Sequence, residues 1–171
     1  MKIKIREVST GNLKDAIIRE GKHGEMPSMH EGWRLNFPKH YKLPNADAYV
    51  LVIEDTPTVI EGCLIFQMQN KEIAYMAYVE TAPHNKNSTR KYDFVAGCLI
   101  AFAFKQSYIS AEGHYKGQLF FDVREEDPVD EKKLREMYSV KYHALPLRGT
   151  TLVIIDEYGD KLIKEYLERQ S

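Results

Sequence analysis

The sequence predicts an α/β (α+β) domain with a mixed, mostly antiparallel central sheet and helices on both faces. Two patterns and the chain length carry this. Three strand-like runs, "AYVLVIED", "VIEGCLIFQMQ" and "IAYMAYVET", are separated only by "TPT" and "NK", the spacing of an antiparallel meander. After them the chain alternates helix, strand, helix, strand, helix, which calls for crossover connections. The length, 171 residues, suits one domain over 1–171 with room for a buried core.

Taken in order, "KIKIREV" alternates and reads as a first strand. "GNLKDAIIRE" reads as a short helix, with Asn12 as cap, Leu13, Ala16 and Ile17 as its apolar face, and Gly21 as its end. Residues 22–47 are irregular, with Pro27, Pro38, Pro44 and the only tryptophan, Trp33, and have room for a short helix around Met29–Leu35. The meander follows. A helix over roughly 93–108, a strand "QLFFDV", a helix "DEKKLREMYSV", a strand "TLVIID" and a final amphipathic helix through Tyr158, Leu162, Ile163, Tyr166 and Leu167 complete the chain.

Charge and composition limit the partners. A formal net charge of −1 gives no overall positive field, so neither nucleic acid nor a membrane surface is expected as a partner. Cys63 and Cys98 both sit in apolar runs, as buried thiols of a reducing compartment do. "MKIKIREVST" has no signal-peptide core, so a cytoplasmic location is expected. No His-x-x-x-His or Cys-x-x-Cys spacing occurs, and no metal site is expected.

The most informative stretch is "VETAPHNKNSTRKYDFVAGCLIAFAF", residues 79–104. A strand ends at a proline, a polar and basic loop follows, and an apolar helix opens at Phe94. Helix amino termini present unpaired N–H groups and partial positive charge, which suit a diphosphate. Arg90 and Lys91 precede that helix, and Ala96 and Gly97 lie in its first turn. Close helix packing accounts for the small residues equally well.

From Ile73 to Leu167 the chain resembles the GCN5-related N-acetyltransferase (GNAT) superfamily. "VETAP" is similar to the strand that these enzymes place before their cofactor loop, and Lys91-Tyr92-Asp93-Phe94-Val95-Ala96 lines up with their Q/R-x-x-G-x-G/A pattern. A narrower likeness is to bacterial GNAT-like proteins whose strand ends E-S/T-A-P-H-N, here "ETAPHN". The amino-terminal third matches only in element order. Three residues depart from the pattern: Lys91 stands in for Gln or Arg, Phe94 stands at its first glycine, and His143 where relatives carry glycine after the tyrosine helix.

The resemblance implies an acetyl-coenzyme A-dependent N-acyltransferase in which a small-molecule or peptide amine attacks the thioester directly. An alkylammonium has a pKa of about 10, so a base is useful. By position, Glu80 would be that base, with Tyr75 able to hold a relaying water, and Tyr138 the acid for the departing thiolate. Val79 would give the oxyanion its N–H at a strand bulge, and Thr81 would bond the pantetheine arm. Lys91, Tyr92, Asp93, Phe94, Val95, Ala96 and Gly97 would hold the diphosphate. Trp33, Phe37 and Tyr41 would wall the acceptor pocket or else cap the core. A homodimer fits the resemblance. Phe94 and His143 keep open an alternative, a GNAT fold that no longer catalyses and serves as a binding or interaction module. Transfer to aminoacyl-tRNA would want a basic face, which the net charge does not offer.

Overall fold

The structure, a computed structural model, describes residues 1–169. Strand β1 (Lys2–Glu7) turns through Gly11 into β2 (Leu13–Glu20). An irregular segment follows, with 3-10 turns at His23–Glu25 and Met29–Glu31 and a one-turn helix α1 (Phe37–His40). The meander is β3 (Ala46–Ile53), β4 (Thr56–Gln69) and β5 (Ile73–Thr81). Then come β6 (Tyr92–Asp93), α2 (Val95–Ser110), β7 (Gln118–Asp122), α3 (Pro128–Tyr142), β8 (Leu145–Arg148) and β9 (Thr151–Ile155). Helix α4 (Asp156–Leu162) continues into a π turn over Ile163–Leu167. The sheet order is β6-β1-β2-β3-β4-β5-β7-β9-β8, and among the described residues only β5 and β7 pair in parallel.

The expected helix at 12–20 is strand β2. Ala16 and Ile18 are buried on one face of the sheet, while Ile17 packs against the core on the other. A strand with apolar residues on both faces imitates helical spacing over so short a run, and β1 supplies the hairpin partner that decides between them. No helix forms over Met29–Leu35, where Gly32 takes φ 87° and ends a 3-10 turn. Strands β6 and β8 were not expected; the first is two residues long and the second carries Pro146.

Two cores sandwich the sheet. The larger one lies under α2, which is buried almost all round because the run from Val95 to Phe104 has no polar face to turn outward. The second is closed by the irregular segment, with Met26, Trp33 and Phe37 packed on Val50, Val52, Cys63 and Ile65. Trp33 and Phe37 are thus core residues and do not wall an open pocket. Cys63 and Cys98 are buried free thiols, as expected. Among the described residues, no helix is long and apolar enough to cross a membrane.

Candidate active site at the β5–β7 splay

Strands β5 and β7 meet at a single pair, Tyr75 with Phe120, and then diverge. The cause lies in β5 itself. Its pairing with β4 steps from Phe66–Met76 to Ile65–Tyr78, so Ala77 is an extra residue, and a bulge re-aims the strand beyond it. Asp122 ties the apex of the splay: it accepts hydrogen bonds from the Tyr75 hydroxyl (2.7 Å) and from Thr150 and Thr151 (2.8 Å each). Tyr75 therefore spends its proton on Asp122, and burial, reinforced by that carboxylate, pushes its pKa well above the usual phenol range.

Beyond the bulge the faces switch. Val79 turns to the α2 core, Thr81 follows it by strand alternation, and Glu80 points to the irregular segment. Val79 is paired with Leu64, two residues past the bulge. The bulge position expected for Val79 belongs to Ala77.

The first turn of α2 sits over Gly62, the partner of Thr81; a Cβ on Gly62 would come within 2.7 Å of Val95 Cγ1 and 2.8 Å of Leu99 Cδ1. Among the described residues, no side chain caps this helix. The loop before it is fastened by backbone and side-chain polar bonds. Lys91 N–H donates to the His84 carbonyl (2.9 Å), Tyr92 N–H donates to Asn85 Oδ1 (3.0 Å), and Val8 N–H donates to the Lys91 carbonyl (2.9 Å). Asp93 pairs with Arg6 across the β1–β6 bridge and with Arg90. The amides of Lys91 and Tyr92 are thus spent inside the protein, while those of Phe94, Val95, Ala96 and Gly97 have no hydrogen-bond acceptor among the described residues and suit an anion.

Phe94 adopts φ 76°, the left-handed conformation that suits glycine. Its half-buried ring has the Arg169 guanidinium 3.5 Å and that of Arg6 4.8 Å from its centroid, and the Tyr166 ring at 6.2 Å edge-on. Gly97 has a packing reason of its own, because a Cβ there would run into the Tyr166 ring. His143 likewise stands at φ 56°, ending α3 and stacking on Tyr158 at 5.5 Å. Both departures from the glycine pattern keep the glycine backbone.

Glu80 is buried, and each of its oxygens is engaged. Oε1 accepts from Arg34 N–H (2.8 Å) and pairs with Lys86, and Oε2 accepts from Leu35 N–H (2.9 Å). The carboxylate pins the irregular segment to β5. Arg34, its backbone so held, sends its guanidinium across the splay to Glu125 in the loop after β7. Tyr138 lies on the other face of the sheet, its ring 5.0 Å from Phe121. Burial first, and the nearby Glu125 charge second, push its pKa up to about 12. Glu80 and Tyr138 therefore do not touch; Arg34 and Glu125 connect their neighbourhoods.

A cluster not found by sequence reasoning stands beside this. Glu61 is the extra residue of a bulge between β3 and β4, since Leu51 pairs with Gly62 and Val52 with Ile60. Its buried carboxylate takes hydrogen bonds from Asn85 Nδ2 (2.7 Å) and His84 Nε2 (2.5 Å). The "PHN" of residues 83–85, the end of "ETAPHN", is thus a staple, with Asn85 joining β4 to β6. Among the described residues no three His, Cys, Asp or Glu side chains are grouped to hold a metal ion.

No protein-family model and no curated protein matches the sequence. Solved structures do match. A mutant AtaT toxin bound to the C-terminus of the antitoxin AtaR and acetyl-CoA superposes with TM-score 0.54 at 13% identity, covering 86% of this chain and 98% of that one. A chimera of spermidine N-acetyltransferase SpeG from Vibrio cholerae and hSSAT gives TM-score 0.53 at 13% identity, covering 84% and 97%. The fold is that of the GNAT acetyltransferases. A KacTA–DNA complex superposes as well, with TM-score 0.58 at 9% identity, covering 88% of this chain and 99% of that one.

Proposed function

We propose that this chain is an N-acyltransferase that takes an acetyl group from acetyl-coenzyme A and gives it to an amine. One coincidence of place supports the reading most: the uncapped first turn of α2 lies over Gly62, beside the strand end where β5 leaves β7. When bound, acetyl-coenzyme A supplies an activated thioester. The amides of Phe94 to Gly97 would hold its diphosphate, and the edge of β5 at Val79 and Thr81 its pantetheine arm. Lys91, Tyr92 and Asp93 fix the loop through their bonds to His84, Asn85, Arg6 and Arg90. Tyr138, with a pKa of about 12, keeps its hydroxyl proton at every working pH, as a general acid for a thiolate must. Glu80 serves as a positioning residue, because its lone pairs already hold the acceptor-side segment. The "ETAPHN" strand end, with Asn85 as staple, fits the narrower bacterial likeness.

Calorimetric titration of acetyl-coenzyme A into ligand-free protein tests this. Binding in the micromolar range is expected, about −8 kcal/mol, and silence at millimolar ligand would remove the proposal. Tyr138→Phe is expected to lower kcat about 100-fold while leaving acetyl-coenzyme A affinity within about twofold. Equal turnover would strike it out as the acid.

A second reading, a GNAT-fold binding module without catalysis, draws on the engaged carboxylate of Glu80 and the caged ring of Phe94. The AtaT–AtaR likeness makes a protein partner its first candidate. Under it the titration stays silent.

A further inference from the structure

We infer that His40 is the base of this site, the group that takes the proton from the attacking nitrogen; the inference rests on the acyltransferase reading. Its place follows from the path of the cofactor. With the diphosphate at the start of α2 and the pantetheine arm on the edge of β5 at Thr81 and Val79, the thioester reaches the bulge at Ala77. The next residue, Tyr78, pairs with Ile65 and packs on the second core, the one closed by the irregular segment. The His40 ring lies flat on that of Tyr78, with centroids 3.6 Å apart and planes 14° apart. His40 thus stands at the bulge on the face away from α2, where the acceptor has room to approach.

Local sequence holds the ring there. Phe37 anchors α1 by full burial in the second core, and His40 follows three residues later on the same side of the turn. Asn36 caps the turn: its side chain accepts from Lys39 N–H (3.2 Å) and its carbonyl from His40 N–H (3.0 Å). Stacking by the ring face leaves the ring edge free, and both imidazole nitrogens lie on that edge. The other bases along the splay are engaged. Glu80 holds Arg34, Leu35 and Lys86. Asp122 holds Tyr75, Thr150 and Thr151, Glu125 pairs with Arg34, and His84 is bonded to Glu61. Burial first, and the Lys39 charge second, lower the pKa of His40, so its imidazole is unprotonated at pH 7. Tyr78 is the titratable group stacked on it, and among the described residues no carboxylate bears on it.

A neutral amine forms its bond to the thioester carbon, and its nitrogen becomes an ammonium in the tetrahedral adduct. That ammonium is more acidic than a free alkylammonium, and it passes one proton to His40. The C–S bond then breaks, and the departing thiolate takes its proton from Tyr138. Solvent returns both side chains to their starting states.

The probe acceptors are ethylamine and hydrazine, the second chosen because its adduct sheds a proton more readily. Release of the coenzyme A thiol and formation of the acetylated amine are followed in wild type, His40→Ala and His40→Gln. His40→Ala is expected to lower kcat about 100-fold with ethylamine and less with hydrazine, and imidazole added to the buffer to restore at least about tenfold. In wild type kcat is expected to fall as pH drops through the His40 value, below about 6.5. In His40→Gln, whose planar amide keeps the stack on Tyr78, that acid limb is expected to vanish. Unchanged turnover in His40→Ala, a loss that imidazole does not restore, or an acid limb that survives in His40→Gln overturns the inference. Acetyl-coenzyme A is titrated calorimetrically into the same preparations. Binding without transfer to either amine by wild type removes His40 as the base and keeps the cofactor site; no binding sinks the acyltransferase reading itself.

Discussion

At position 94 a backbone φ of 76° meets a phenylalanine side chain. The left-handed conformation costs a non-glycine residue about 1–2 kcal/mol. The ring returns much of that through Arg169 and Arg6, each cation–π contact being worth about 0.5–1 kcal/mol at a partly exposed site. The two residues that break the GNAT glycine pattern, Phe94 and His143, use the same device: a strained cap steadied by a stacked neighbour. A specific order follows for position 94. Phe94→Ala keeps the strain and loses the ring, and is expected to destabilise by about 1–2 kcal/mol in urea unfolding. Phe94→Gly sheds both and is expected to stay within about 1 kcal/mol of wild type, with diphosphate affinity equal or tighter. If Phe94→Gly proves the less stable of the two, the backbone account of this position is wrong.

Among the elements, the loop between β5 and α2 is held by polar staples rather than by apolar packing. Asn85 is the central one, giving Nδ2 to the buried Glu61 and Oδ1 to the Tyr92 amide. Asn85→Ala would leave the buried Tyr92 N–H without a partner and the buried Glu61 carboxylate with His84 alone, an expected loss of about 1–3 kcal/mol. It should also speed hydrogen exchange at Tyr92 more than at strand amides of β4; uniform acceleration would mean that the staple is not local. These staples explain what could be read in advance. The meander, α2, α3 and β9 were legible because their apolar spacing is local. Strand β2 was not, since burial on two faces looks helical over eight residues. The site was legible only where it lies in one stretch. The helix opening at Phe94 was visible, but Arg34 meets Glu125 at a separation of 91 residues, and no local pattern announces such a pair. Glu80 was picked out as a carboxylate at the splay, but the amides of Arg34 and Leu35 that occupy it come from a segment without regular structure.

For the whole molecule, Asp122 holds β5, β7 and the start of β9 at one point. Burial alone would raise its pKa, but the hydrogen bonds from Tyr75, Thr150 and Thr151, with Arg124, outweigh burial and hold it below the ordinary carboxylate value. A folded pKa below the unfolded one, about 3.9, gives stability that is complete above about pH 4 and lost as pH falls through the folded value. Asp122→Asn is therefore expected to flatten the acid limb of a stability–pH curve and to lower neutral stability by about 1–2 kcal/mol. An unchanged acid limb would assign the loss to other carboxylates.

The two-residue bridge of β6 to β1 has a consequence in the order of synthesis. Arg6 meets Asp93 across 87 residues, so β1 waits, with one edge unpaired, until β6 has been made. When the β6 bridge closes, the open edge of the sheet and the loop before α2 are completed in a single event, and a chain that has not yet brought in its sixth strand has neither a protected edge nor a fixed entry to α2.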